Sequence, residues 1–272
     1  MIPQSGVLGA ELRGLDLSRH DAAMRADLHQ ALLAYGYVFV RKQNLTPAML
    51  CAFAQHWGEL HSHPYMPGID GYPEVIEIVK KETDVHTFGG QWHTDQMFTR
   101  TPAMGTLLYA IEVPPAGGDT MFGCLHTAYD GLSPAMRQML APLRTVNIYD
   151  KQRPRAAVME RQVVDKDVPA EAAVHPLVRP HQETGRPALY ISHDRITRRI
   201  EGMSDAESRP LLDFLRQHSI RPEFTSRLRW EPGTLAFWDN RRVQHMAVND
   251  YQGHRRVMHR VTVRGTDTTR PV

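Results

Sequence analysis

Two metal-binding side-chain types stand two residues apart in His93-Thr94-Asp95. In an extended segment residues i and i+2 point the same way, so one ion could take both. A third ligand must come from elsewhere. His245, in Trp238-Asp239-Asn240-Arg241-Arg242-Val243-Gln244-His245, follows a strong apolar strand and is expected in a loop at its mouth. Two histidines and one carboxylate on one face of an ion leave three positions open, as in non-haem Fe(II) oxygenases. The same three ligands plus water make a tetrahedral zinc site, so ligand type alone leaves the metal undecided. A lone His-x-Asp is also how ordinary loops pair an imidazole with a carboxylate. The chain has 15 histidines, and His61, His63, His86 and His254 all lie near these segments.

The last strand adds a second kind of chemistry. In Arg256-Val257-Met258-His259-Arg260-Val261-Thr262-Val263, one face carries Arg256, Met258, Arg260 and Thr262. Arginines alternating with apolar residues commonly face water. Here they begin about one hairpin after His245, so their guanidinium groups could enter the same cavity. Guanidinium recognises carboxylate or sulfonate through paired N–H donors. One metal and two arginines could hold two different anions.

The elements that must position these residues are mostly strands. Gly6–Leu12, Tyr37–Val40, Val75–Val79, Ala103–Val113, Phe224–Trp230, Thr234–Trp238 and Arg256–Val263 read as strands. Asp21–Tyr35 reads as a helix stopped by Gly36, and Thr46-Pro47 opens a second that ends near Gly58. Ser133-Pro134 caps a short helix. Asp205–His218 is a helix with Leu211, Leu212, Phe214 and Leu215 as its core side. Lys80–Gln91 reads as a mobile loop and Pro114–Asp119 as a turn cluster. From Tyr149 to Ala172 no face repeats, and an exposed insertion or lid is expected within a single domain spanning residues 1–272. Strands do not alternate with helices, so the fold class is mainly β with flanking helices (α+β), a sandwich or barrel.

Composition narrows the class. Hydrophobic residues at 42% and charged ones at 23% exclude wholesale disorder. The net charge of +2 is too balanced for a nucleic-acid or membrane surface, so neither is expected as a partner. The longest near-apolar run, Ala31 to Val40, is too short to span a bilayer. No signal peptide is visible at Met1–Gly6, and two cysteines, Cys51 and Cys124, make no disulfide framework. A cytoplasmic location is expected.

Four separated motifs resemble one family, the Fe(II)/2-oxoglutarate-dependent dioxygenases related to taurine dioxygenase (TauD/TfdA). They are Trp92-His93-Thr94-Asp95, Gly117-Gly118-Asp119-Thr120, Trp238-Asp239-Asn240-Arg241 with Gln244-His245, and the arginine strand ending His259-Arg260. Weaker likeness runs from Gly6 to the last strand. The resemblance implies a double-stranded β-helix (jelly-roll) core, Fe(II) as cofactor, and 2-oxoglutarate and O2 as co-substrates. It makes His93, Asp95 and His245 the iron ligands. Thr120 and Arg256 match the residues that bind the distal carboxylate of 2-oxoglutarate, and Arg260 the position that meets the acidic group of the primary substrate. His63 matches a substrate-contacting histidine. Ile196 stands where taurine-specific members place an aromatic, and the Phe88-Gly89-Gly90 region replaces a polar residue. Gly71–Val75 and Arg199–Ser208 look closer to the aryloxyalkanoate-cleaving branch.

The resemblance implies hydroxylation of a small anionic substrate, an alkyl sulfonate such as taurine or an aryloxyalkanoate-type carboxylate, with release of succinate and CO2. A homo-oligomer, dimer or tetramer, is expected. Two rivals remain: a zinc hydrolase, for which no His-Glu-x-x-His glutamate is present, and a non-catalytic anion-binding protein with a vestigial site.

Overall fold

The computed structural model describes residues 1–63, 65–149 and 172–266, so the insertion expected around 149–172 lies, apart from its two ends, outside the described residues. Seven strands form the major sheet, in the order β1 (Ile2–Pro3), β2 (Ala10–Glu11), β3 (Tyr37–Val40), β13 (Leu235–Asp239), β5 (Ala103–Glu112), β15 (Arg256–Arg264), β4 (Ile76–Lys80). All neighbours are antiparallel except β2 and β3. A second sheet of β12 (Thr225–Leu228), β6 (Thr120–Cys124) and β14 (Val243–Ala247) faces it. Smaller sheets join β11 (Thr197–Ile200), β7 (Arg144–Ile148) and β8 (Ala172–Pro176), and β10 (Pro187–Leu189) with β9 (Val178–Pro180). This mostly-strand body is the expected jelly-roll core.

Strand alternation divides the interior in two. Val38, Val40, Leu107, Tyr109, Leu235, Phe237, Val261 and Val263 pack outward under helices α1 (Ala22–Tyr35) and α2 (Pro47–Ala54). Tyr37, Phe39, Leu108, Ala110, Ala236, Trp238 and Met258 point inward, onto Phe122, Cys124, Leu228 and Val243 of the facing sheet. Arg256 and Arg260 share parity with Met258, so they too point between the sheets, where both are at least 93% shielded from solvent.

The helices form where their caps predict. The Asp21 and Thr46 side chains accept from Met24 N and Met49 N, and Gly36 ends α1 at φ 76°. The third apolar cluster collects α3 (Leu125–Asp130), α4 (Pro134–Leu140) and α5 (Asp205–Ser219) around Leu189, Ile191 and Ile200. Ser204 and Glu207 close a capping box on α5.

Three expectations need correction. The strand expected over Gly6–Leu12 shrinks to Ala10–Glu11, because the Ser5 hydroxyl collects the Val7 and Leu8 amides into a turn. Phe214 lies 47% exposed; Ser208, Leu212, Leu215, His218 and Ser219 make the buried side of α5 instead. His245 is not in a loop. It sits within β14, paired with Phe122 of β6.

Candidate active site

His93 reaches His245 through an isolated antiparallel bridge, so only a local extension, not a full strand, presents the His-x-Asp pair. The His93 Nδ1–H donates to the Gln91 carbonyl at 2.6 Å, which leaves Nε2 bare and facing Asp95. His93 Nε2 lies 3.8 Å from Asp95 Oδ1, and His245 Nε2 3.7 Å from Asp95 Oδ2. Both separations exceed a hydrogen bond and leave space between the donors. One ligand atom from each of the three residues lies within 4.8 Å of the others, and among the described residues this is the one such group. His86 and His254 are exposed and outside it, while the His61 ring accepts from Gln96 Nε2.

Charge suits the group to a cation. Burial alone would keep the Asp95 carboxyl protonated; His245, the Arg260 guanidinium, His93 and the Thr106 hydroxyl outweigh it and hold the group well below the usual carboxylate range. Burial, with His93 adding, pushes His245 down to about 3, so its imidazole is neutral and its lone pair available near neutral pH. A nitrogen–nitrogen–oxygen donor set with bare, converging lone pairs fits a divalent ion that prefers mixed imidazole and carboxylate ligands.

The arginines open to the same cavity, whose lining includes His93, Thr120, His245, Arg256 and Arg260. Arg256 Nε and Nη2 and Arg260 Nε are buried without a hydrogen-bond partner. Arg260 Nη1 lies 3.7 Å from Asp95 Oδ1, whereas Arg256 has no ion pair among the described residues. Asp119, the acid nearest in sequence to Thr120, is instead held by Arg227 Nε at 2.6 Å. Burial lowers the pKa of both arginines, outweighing Asp95 beside Arg260 and Tyr251 and Asp119 near Arg256. Thr120 accepts from Trp230 Nε1 at 2.9 Å, so its own hydroxyl hydrogen is free to donate.

The remaining candidates lie close to Arg260 or in the apolar cluster that holds Phe88. His63 is pushed down to about 3 by burial and by Arg260, and its Nδ1 accepts from Tyr65 N. Ile196 packs into the apolar cluster that holds Phe88, Tyr65, Phe98 and Tyr149. Tyr149 stacks on Tyr65 with ring centroids 4.4 Å apart. Sequence reasoning missed His193, whose ring meets His93 edge-on at 6.3 Å and which burial pushes down to about 3. Its flanks, Ser192 and Asp194, carry no ligand pattern. Thr106 was missed too, because a threonine inside a strand reads as packing.

A jelly roll with a His-Asp-His group and two buried arginines suits a mononuclear metal enzyme that also binds anions. A family profile described as "Taurine catabolism dioxygenase TauD, TfdA family" matches residues 2–262, and the chain belongs to this family of 2-oxoglutarate-dependent dioxygenases. It is 33% identical to an alkylsulfatase of Acinetobacter baylyi, over 97% of this chain and 84% of that one. It is 34% identical to an alpha-ketoglutarate-dependent sulfate ester dioxygenase of Pseudomonas putida, over 97% and 88%. The crystal structure of a taurine dioxygenase from Burkholderia xenovorans superposes with a TM-score of 0.82 at 36% identity, covering 97% of this chain and 90% of that one. Among the described residues no helix is long and apolar enough to cross a membrane.

Proposed function

We propose that the protein hydroxylates the carbon bearing the sulfur group of a small organic sulfo-anion, a sulfate monoester or sulfonate, while 2-oxoglutarate is converted to succinate and CO2. The observation that carries this reading is the pair of buried, incompletely partnered arginines opening to one cavity with His93 and His245. Two anions, the co-substrate and the substrate, give each guanidinium a partner.

His93, Asp95 and His245 would hold Fe(II). When bound, iron supplies the dioxygen activation that is coupled to 2-oxoglutarate decarboxylation. Arg256 and Thr120 would bind the distal carboxylate of 2-oxoglutarate, one through its fork and the other through its free hydroxyl hydrogen. Arg260, with His63 donating from Nε2, would anchor the sulfo group and so aim one C–H bond at the metal. Tyr65, Phe98, Tyr149 and Ile196 would wall the alkyl part and exclude water. Hydroxylation beside the sulfate ester oxygen or the sulfonate sulfur gives an adduct that collapses to a carbonyl, releasing sulfate or sulfite.

The sulfur preference rests on likeness to the sulfate-ester and sulfonate relatives. The segments resembling the aryloxyalkanoate-cleaving branch favour an aryloxyalkanoate carboxylate as the second reading, with a phenol as leaving group. Dioxygen uptake and succinate formation with added Fe(II) and 2-oxoglutarate test both, screened against alkyl sulfates, sulfonates and aryloxyalkanoates. Stimulation by the sulfo-anions supports the first reading and stimulation by aryloxyalkanoates alone the second. A zinc hydrolase or a pure anion binder would form no succinate.

A further inference from the structure

Behind Asp95 lies a chain of hydrogen bonds whose direction is fixed by chemistry alone. Trp238 Nε1 can only donate, and it lies 3.1 Å from one terminal atom of the Asn240 amide, which must therefore be oxygen. The Asp95 backbone N–H points to the same Oδ1, at 3.4 Å. The other end of the amide, Nδ2, then faces Thr106 Oγ1 at 2.9 Å and can only donate. Thr106 Oγ1 accepts that bond, so its single hydrogen is turned to Asp95 Oδ2, 2.7 Å away. Thr106, Trp238 and Asn240 are all buried to within 1% of full shielding, which keeps bulk solvent from these bonds.

The backbone holds the same arrangement. Thr106 on β5 is the register partner of Trp238 on β13, and Asn240 N donates to Met104 O across the same strand pair. On the far side of the turn, Arg241 grips Asp239 through two nitrogens at 2.8 and 2.7 Å, and His181 Nε2 donates to Asp239 at 2.8 Å. Asn240 is thus held between two anchored ends. Nothing in metal binding as such requires this, since a carboxylate can ligate through either oxygen or both.

We propose that Asn240 and Thr106 are positioning residues that fix the rotation of the Asp95 carboxylate by holding a hydrogen bond on Oδ2, while Oδ1 carries none among the described residues. This rests on the metal-site reading above. Held on Oδ2, the carboxylate would offer the ion one fixed orientation, because any swing would break the Thr106 bond. Asn240 touches neither metal nor substrate; it acts by dictating where the Thr106 hydrogen points. A threonine hydroxyl without that neighbour could donate elsewhere.

The experiment replaces the hydroxyl and keeps the shape. Thr106→Val, Thr106→Ser and Asn240→Asp would be titrated with Co(II) under nitrogen, reading both affinity and the intensity of the visible d–d bands, which falls as coordination number rises. Thr106→Val should bind Co(II) on the order of 10–100-fold more weakly, as expected on removing a partner of a metal ligand, or show altered band intensity from a reoriented carboxylate. Thr106→Ser should restore both readouts, and Asn240→Asp should resemble Thr106→Val. Wild-type affinity and spectrum in both Thr106→Val and Asn240→Asp would overturn the proposal. Asp95→Ala separates the two readings: unchanged Co(II) binding there would sink the metal site itself, whereas lost binding there beside wild-type behaviour in Thr106→Val would sink only the relay. One readout needs no variant. In the wild-type protein loaded with diamagnetic Zn(II), the Thr106 hydroxyl proton should be protected from exchange and show a nuclear Overhauser effect to the Asn240 amide. A rapidly exchanging hydroxyl at that position would overturn the relay even if every variant failed to fold.

Discussion

His93 and His245, distant in sequence, are joined twice: each backbone amide donates to the other's carbonyl, at 3.0 and 2.8 Å, and their rings lie 4.2 Å apart. The backbone itself therefore brings the two rings together. Side-chain replacement leaves the backbone bridge in place.

The first prediction follows from that bridge. His93→Ala, Asp95→Ala and His245→Ala should each abolish Fe(II)-dependent succinate formation while melting within a few degrees of the parent. Calorimetry beside metal titration checks both halves. Any of the three that kept parental iron affinity and rate would be misassigned as a ligand.

A second prediction concerns the turn before Thr120. Gly117 has φ 79°, and a Cβ there would meet Asp250 Oδ1 at 2.7 Å and its carbonyl oxygen at 2.9 Å. Asp250 Oδ1 also accepts from Gly118 N, so this contact sets where β6 begins. Gly117→Ala should displace Thr120 and raise the apparent KM for 2-oxoglutarate several-fold, with a smaller change in the KM of the primary substrate. Equal KM changes for both would place the turn outside the co-substrate site.

Acid stability gives a third. His126 is fully buried, its Nδ1–H donates to the Pro187 carbonyl at 2.8 Å, and Nε2 has no partner. Burial, reinforced by Arg242 and Arg186, pushes it down to about 4 from its ordinary 6.5. The folded protein therefore binds fewer protons than the unfolded chain. Stability from this group is full above pH 6.5 and is lost as pH falls toward 4, by about 2 kcal/mol between pH 7 and pH 5. His126→Gln keeps a donor for Pro187 but cannot titrate. Denaturant unfolding at the two pH values should show the variant losing about that much less than wild type. The same acid loss in both would mean His126 is protonated when folded.

How much of this was legible beforehand depended on whether a residue's role was local. The caps at Asp21, Thr46, Ser133 and Ser204 act within a few residues, and the helices they open lie where the sequence placed them. The strand β14 was hidden because Gln244 and His245 are polar yet interior, satisfied by Ser219 or turned into the site. The alternation of β15 marked one arginine face, but only the opposing sheet decides that this face is buried. The His-x-Asp pair was visible and its bridge to His245 was not, because no local signal records a backbone pairing across so much chain. Thr106 and Asn240 carry their meaning only through each other's orientation.

The last prediction separates the two arginines. Arg256 and Arg260 stand four residues apart on one face of β15, about 13 Å along an extended strand. They see different neighbours: Arg256 lies over the Trp230 ring beside Thr120, and Arg260 over Phe88 beside Asp95. Leaving the strand at separated points and meeting different neighbours, the two guanidinium groups should divide their roles. Arg256→Ala should raise the apparent KM for 2-oxoglutarate by losing a charge-assisted bidentate pair, on the order of 2–3 kcal/mol or roughly a hundredfold. Arg260→Ala should leave 2-oxoglutarate binding nearly intact, weaken the primary substrate, and uncouple succinate formation from product. Lysine at either position should rescue only in part, because a point charge does not reproduce the fork. Titrating each co-substrate separately, with succinate and product counted together, distinguishes the two. If Arg260→Ala turned over an anionic substrate with unchanged KM and coupling, the anchoring role would pass to His63, which lies in the field of the same guanidinium.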